Sequence, residues 1–360
     1  MNDFITNLGG IEYKGLIITL FTLSAAISRP YSGKLADTIG RKSTMYIGIS
    51  VSAIVTFLYP LSGTVLFFLL LRFFHGFSTG FLPTGATALV TDILPPNKRG
   101  QGMGVFGTAT SLGIGVGQFL GTPIYDLMGM NGLFLISGLL SVIAGLTILT
   151  VRETLENPVK FSPNLFKLKR NEFFEINVIP VGMVMLLSAA SSGIIFVLSP
   201  DMSEYLGISN KGWFFFFYVI STIGIRLFTG KVSDKYGRRE TLIVGSVLLI
   251  TSMIIVGYST SVISFTIGSI VFGIATGINS PTLFAWMADL SPTKRRGIGA
   301  GTLFISLELG IMLGATSTLF VYDSTIESVP HVFMVGASLS FLALLYLIWH
   351  LIYRTKQTTY

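Results

Sequence analysis

A carboxyl group in an apolar helix can take up and release a proton. Glu308 is the one acidic side chain that falls well inside an apolar run of this sequence. Arg72 lies eight residues into another run, roughly 12 Å deep at about 1.5 Å of rise per residue. A guanidinium there stays charged and either depresses the proton affinity of neighbouring groups or holds an anion. His75 shares its helix face at i+3 and titrates near neutrality. Asn279 places a polar amide beside Ser280-Pro281 in the middle of a further run. The other group with chemistry in its spacing is Gly33-Lys-Leu-Ala-Asp37-Thr-Ile-Gly40-Arg41-Lys42, which recurs as Gly230-Lys-Val-Ser-Asp234-Lys-Tyr-Gly237-Arg238-Arg239. Gly33 lets a neighbouring helix come close, Gly40 permits a tight turn, and Asp37 can accept from Arg41 while facing a helix N-terminus.

These groups sit in a chain of 360 residues that is 51% hydrophobic and 11% charged, against about 25% charged in a soluble domain. The solvent for such a surface is lipid. Eleven apolar runs are long enough to span it: 14–32, 44–61, 64–90, 101–125, 132–150, 176–199, 211–229, 241–258, 262–288, 298–321 and 332–352. With no cysteine and three histidines, a thiolate metal site, disulfides and a histidine-rich metal site are excluded, and neither metal nor cofactor is expected. No Gly-rich loop ending in Lys-Ser/Thr appears, so nucleotide hydrolysis is not expected. Neither is catalysis by a serine-histidine pair or an HExxH helix.

The net charge of +7 reports orientation rather than a nucleic-acid partner. Alternate connections hold 19 of the 24 Lys and Arg residues, namely Lys34, Arg41, Lys42; Lys98, Arg99; five between Arg152 and Arg170; Lys231, Lys235, Arg238, Arg239; Lys294, Arg295, Arg296; and Arg354, Lys356. The opposite connections hold Lys14 and Lys211. The positive-inside rule makes the first set, and the C-terminus, cytoplasmic. Arg29 and Arg226, four residues before each motif, are expected to snorkel to the headgroups.

The two motif copies belong to a longer register. At an offset of 197, Gly76 and Gly80 match Gly273 and Gly277, Asp92 matches Asp289, Arg99-Gly100 matches Arg296-Gly297, and Gly113 and Gly117 match Gly310 and Gly314. Two homologous helical halves in the same orientation are the signature of transporters built from parallel repeats. The expected organisation is a bundle of five spans over 1–150, a cytoplasmic linker over 151–175 and a bundle of six spans over 176–360. The run at 176–199 maps before residue 3 in this register, so the first half lacks a counterpart to it. Met1 to Tyr13 then reads either as the loop after a helix that the sequence does not encode or as the outer end of a genuine eleven-span protein.

On the ten-residue motif, its copy and this register, the chain resembles the major facilitator superfamily. The resemblance implies an all-α membrane protein of two parallel six-helix repeats, here with eleven spans and the first helix of the N-terminal half absent. It also implies transport by alternating access in the inner or plasma membrane, by a monomer that handles a small molecule and protons in the bilayer. For Gly33, Asp37, Gly40, Arg41 and their copies Gly230, Asp234, Gly237 and Arg238 it implies a latch that stabilises the outward-open state; enforcing topology is the alternative role. Arg72 and Gly76 resemble the family's second motif, associated with proton coupling. Gly113, Gly117, Gly121 and Pro123 resemble in part the third motif, found in drug-exporting antiporters, although Thr122 intervenes before the proline. Export coupled to protons is thus expected ahead of sugar or nutrient uptake, and both ahead of a receptor that moves nothing.

Packing sets three further expectations. Ala109, Gly113, Gly117 and Gly121 make a flat face for close helix packing. Pro83 and Pro281 break corresponding helices and mark the binding region. The aromatic run Trp213 to Tyr218 faces lipid, and the stretch from Phe166 to Phe174 is interfacial and amphipathic.

Overall fold

The structure, a computed structural model, describes residues 8–9, 14–210, 212–323 and 325–357. The charges of Lys14, Lys211, Arg354 and Lys356 and most of Met1 to Tyr13 lie outside the described residues. The described chain is helical: α1 (Lys14–Thr38), α2 (Arg41–Leu58), α3 (Val65–Ile93), α4 (Arg99–Leu149), α5 (Ile179–Tyr205), α6 (Trp213–Tyr236), α7 (Arg238–Gly257), α8 (Val262–Leu290), α9 (Arg296–Val321) and α10 (Val329–Gln357). Each predicted apolar run falls on one of these helices; the runs 101–125 and 132–150 are the two arms of α4, which breaks at Gly129 (φ 65°). Eight helices of the described residues are long and apolar enough to cross a membrane, or nine if α6, bent by 49° around residue 227, counts as one span.

Alternating helix and tight turn follows from the register glycines. Gly40 and Gly237, at φ 119° and 107°, end α1 and α6 and start α2 and α7 in a backbone conformation that a side chain resists. Gly76 on α3 leaves room for the Phe21 carbonyl of α1, and Gly273 on α8 leaves room for the Tyr218 carbonyl of α6. Gly48 packs on Leu82 just as Gly245 packs on Asn279. Each partner is again 197 residues from its counterpart, so the repeat governs tertiary contacts as well as residue types.

The chain forms two compact units. One comprises Met1–Ile93, Val116–Asn177 and Ser291–Ile305. Its core gathers Ile17, Tyr59, Phe68 and Phe134, with Tyr59 and Phe134 rings 4.9 Å apart. The other comprises Leu94–Gly115, Val178–Leu290 and Ser306–Tyr360. Its core gathers Ile194, Leu198, Phe214, Leu249, Phe265, Phe272 and Phe333.

Three packing expectations need correction. Phe214, in the run expected to face lipid, is fully buried, with its ring 5.4 Å from Phe265 and 5.8 Å from Phe272. Phe216 two residues on is exposed. A helix places successive residues on different faces, so six consecutive aromatics cannot share one environment. Second, α3 and α8 run through Pro83 and Pro281 without a break. Close to Pro83 the Gly80 carbonyl accepts from the Ser32 and Thr84 hydroxyls at 2.7 and 2.8 Å and from Arg29 at 3.3 Å, which ties α3 to α1 there. Third, among the described residues Gly113, Gly117 and Gly121 have nothing within 4 Å of where a Cβ would stand. Their counterparts Gly310 and Gly314 pack on Leu186 and Ala190 of α5, and α5 has no register counterpart among the described residues. The 166–174 stretch lies in the linker. It forms short turns at Pro163–Phe166 and Arg170–Glu172 that leave Phe166, Phe173 and Phe174 exposed.

Candidate functional site

The ten-residue motif builds a clamp in the first unit. The Asp37 carboxylate reaches the start of α9, its oxygens 2.7 Å from the Gly297 N–H and 2.9 Å from the Ile298 N–H. Those donors have no partner inside their own helix, and the positive end of the helix dipole adds to the attraction. Approach this close requires Gly33, where a Cβ would stand 2.9 Å from the Gly297 carbonyl oxygen and 3.0 Å from the Ile298 Cα. Arg41 lies 3.4 Å from Asp37 and donates to Asp92 at 2.9 Å and to the Ala36 carbonyl at 2.6 Å. The second Asp92 oxygen takes Arg296 at 2.6 Å. Two carboxylates and two guanidiniums thus neutralise one another in a largely dehydrated cluster, where any unpaired member would be costly.

The copy builds the same clamp in the second unit. Asp234 caps the start of α4 through the Gly100 and Gln101 N–H groups at 2.8 and 3.0 Å. Arg238 pairs with Asp234 at 2.6 Å and with Asp289 at 2.9 Å, and Arg99 completes the set at 2.9 Å from Asp289. Gly230 faces Gly100 and Gln101 as Gly33 faces Gly297 and Ile298. The sequence alone gives Asp92, Asp289, Arg99 and Arg296 no role in the motif. Their shared place in the register was the available signal.

The clamps differ in what the linker adds to them. In the first unit the linker joins in: Glu153 accepts from the Arg41 and Lys42 N–H groups, both at 3.0 Å, and Thr154 donates to Asp92 at 2.6 Å. Lys34 also binds Glu172 at 2.9 Å and the Lys167 carbonyl at 2.8 Å. Burial pulls the Glu172 carboxyl up, but the Lys169 N–H and the Lys34 ammonium outweigh it, so its pKa lies below the ordinary glutamate value.

Arg72 and His75 come together around Tyr59. The Tyr59 hydroxyl stands 2.9 Å from His75 Nδ1 and accepts from Arg72 at 3.4 Å. Arg72 also donates to the Ile17 carbonyl at 3.3 Å and lies over the Phe21 ring, 4.6 Å from its centre. Glu308 is buried on α9 in the other unit.

Arg29 and Arg226 do not snorkel. Arg29 is 2% exposed, donates to Thr84 at 2.9 Å and stacks on Phe304 at 4.1 Å. Arg226 is 8% exposed and donates to Ser111 at 2.8 Å and to the Gly107 carbonyl. Carbonyls and hydroxyls exposed by the small residues of neighbouring helices offer these guanidiniums inward partners, which outcompete the headgroups. Arg226 lines a cavity of about 180 Å³ in the second unit, with walls contributed by α5 to α9. Asn279 lines it too, together with Ser188, Ser192, Tyr218 and Thr276.

A helical membrane protein that repeats one bundle plan, caps a helix start with one carboxylate in each copy of the motif and keeps a cavity among its helices has a secondary-transporter fold. The family model for the Major Facilitator Superfamily matches residues 3–180 and again 181–359. The chain belongs to the Major Facilitator Superfamily, a family of transporters, and is a multi-pass membrane protein. It is 27% identical over 320 residues to the uncharacterized MFS-type transporter MJ1560 of Methanocaldococcus jannaschii, covering 86% of this chain and 82% of that one. It is 28% identical over 307 residues to the multi-drug resistance efflux pump PmrA of Streptococcus pneumoniae, covering 81% and 76%. The crystal structure of the human organic anion transporter MFSD10 shares the fold with a TM-score of 0.80 at 21% identity, over 96% of this chain and 88% of that one.

Proposed function

We propose that the chain exports small molecules across the plasma or inner membrane in exchange for protons. The observation that carries this reading is its similarity, along most of its length, to a protein named as an efflux pump. The buried carboxyl of Glu308 supplies a titratable group of the kind such an exchange needs. In this reading Arg72 and His75, joined through Tyr59, form a second polar centre that tunes coupling. The two clamps lie on the cytoplasmic side, as the basic connections indicate. They hold α4 and α9 by their N-termini and must release them for the cytoplasmic side to open. Residues 1–150 and 176–360 act as the two moving bundles, with 151–175 between them, and one copy of the chain suffices.

Reconstituted vesicles with an imposed pH gradient test the reading. Efflux of a fluorescent dye should follow the gradient and vanish with an ionophore. Flux indifferent to the gradient would remove protons from the mechanism, and inward substrate accumulation driven by inward protons would make the chain an uptake system.

A further inference from the structure

Arg226 is nine-tenths buried, and among the described residues no carboxylate lies within salt-bridge distance of it. One guanidinium nitrogen, Nη1, serves Ser111 and the Gly107 carbonyl, and Nε makes no hydrogen bond. A guanidinium is the side chain whose planar fork suits an oxyanion. Asn279 and Ser188 also line the cavity, and their side-chain polar atoms are buried in its wall without a hydrogen-bond partner, the Asn279 Oδ1 lying on the Gly245 side. None of the residues lining the cavity is acidic. The remaining wall is apolar and includes Phe196, Leu249, Leu283 and Ile311.

A buried cation with no counter-charge is expensive, and so are buried amide and hydroxyl groups with no hydrogen bond. An anion with an apolar body would supply the missing counter-charge and an acceptor for the guanidinium, the amide N–H and the hydroxyl. A cationic occupant would add like charge to a wall with nothing to balance it. We infer that the cavity between α5 and α9 binds an amphiphilic organic anion, with its carboxylate or similar oxyanion on Arg226 and Asn279 and its apolar part against the Phe196 and Leu249 side. As a statement about cargo this rests on the transport reading above; as a statement about binding it stands apart from it. The Arg226 charge is then retained in the membrane because the ligand supplies the missing partner.

Calorimetric titration of the full chain in lipid nanodiscs with benzoate and with benzylamine, two probes of similar size and opposite charge, tests it. Benzoate should bind and benzylamine should not. Arg226→Ala should weaken benzoate by at least about tenfold, since truncating one member of a buried charge pair costs more than that. Arg226→Lys should lie in between because an ammonium cannot engage both oxygens. Asn279→Asp, which leaves Arg226 in place but brings a carboxylate to the cavity, should also abolish benzoate binding. Equal or tighter binding of benzylamine to the unmodified chain would overturn the inference without reference to any variant. So would no benzoate binding up to about 10 mM, or benzoate binding that ignores both substitutions. Dye flux measured on the same preparation separates the two readings. Flux without Arg226-dependent benzoate binding leaves transport standing and sinks the anion site. Benzoate binding without flux does the reverse.

Discussion

Asp37 and Asp234, 197 residues apart, make the same pair of bonds: each carboxylate spans two consecutive backbone N–H groups at the start of a helix, Gly297 and Ile298 for one, Gly100 and Gln101 for the other. The spacing of the partners is again 197 residues. The clamps are thus a duplicated device, and their differences are as testable as their likeness.

The glycines at the two contacts differ in tolerance. A Cβ on Gly33 would stand 2.9 Å from the Gly297 carbonyl oxygen, whereas on Gly230 it would run into the Gln101 Cα and stand 2.6 Å from the Gly100 carbonyl oxygen. All of these are backbone atoms that cannot swing away. Gly230→Ala should lower the melting temperature in detergent more than Gly33→Ala, and should lose more transport. The opposite order would mean that the second clamp yields more easily than its geometry indicates.

Asp92 and Asp289 each bridge two arginines, but the Asp92 side chain is 11% exposed and the Asp289 side chain 31%. Water can replace part of what Asp289 supplies. Removing a buried partner costs about 3–5 kcal/mol, so Asp92→Ala should approach that range in chemical unfolding. Asp289→Ala should cost clearly less and respond more to added salt.

Glu172 docks the linker on Lys34. Because its pKa is depressed in the folded chain, its contribution is present above the ordinary glutamate value and is lost as pH falls through the lower folded value. Protection from hydrogen exchange in 163–175, relative to the intrinsic rate at each pH, should therefore fall as the medium is acidified through that range. Glu172→Gln should show the lowered protection already at neutral pH and little further change on acidification.

Tyr59 is fully buried and is the group through which Arg72 and His75 meet. Tyr59→Phe keeps the ring packing and leaves two polar side chains short of a partner, at a cost of about 1–3 kcal/mol. If the trio tunes proton coupling, the variant should also shift the pH profile of flux; loss of stability with an unmoved profile would confine the trio to structure.

Glu308→Gln keeps the shape of the side chain and removes its titration. Efflux by this variant should no longer follow the pH gradient, while substrate exchange at equal pH persists. Retained coupling would take Glu308 out of the proton path.

Much of the fold was legible in the sequence because lipid imposes it. Every backbone polar group must be satisfied within a helix, so apolar runs of sufficient length mark spans, and a gapless register marks the duplication. The clamp motif was legible for a related reason: Gly33, Asp37, Gly40 and Arg41 need fixed spacing to make one turn and one cap. The fate of the isolated charges was not legible. Arg226 could snorkel or turn inward, and the choice depended on whether a carbonyl at Gly107 and a hydroxyl at Ser111, more than a hundred residues away, stood within reach. The closing of Asp92 on Arg296 and of Asp289 on Arg99 likewise required helices distant in sequence to meet. Local spacing fixes which residues share a helix face; only the packed bundle decides which of them find a partner, because the cost of leaving a charge alone in lipid is settled by what the other helices bring to it.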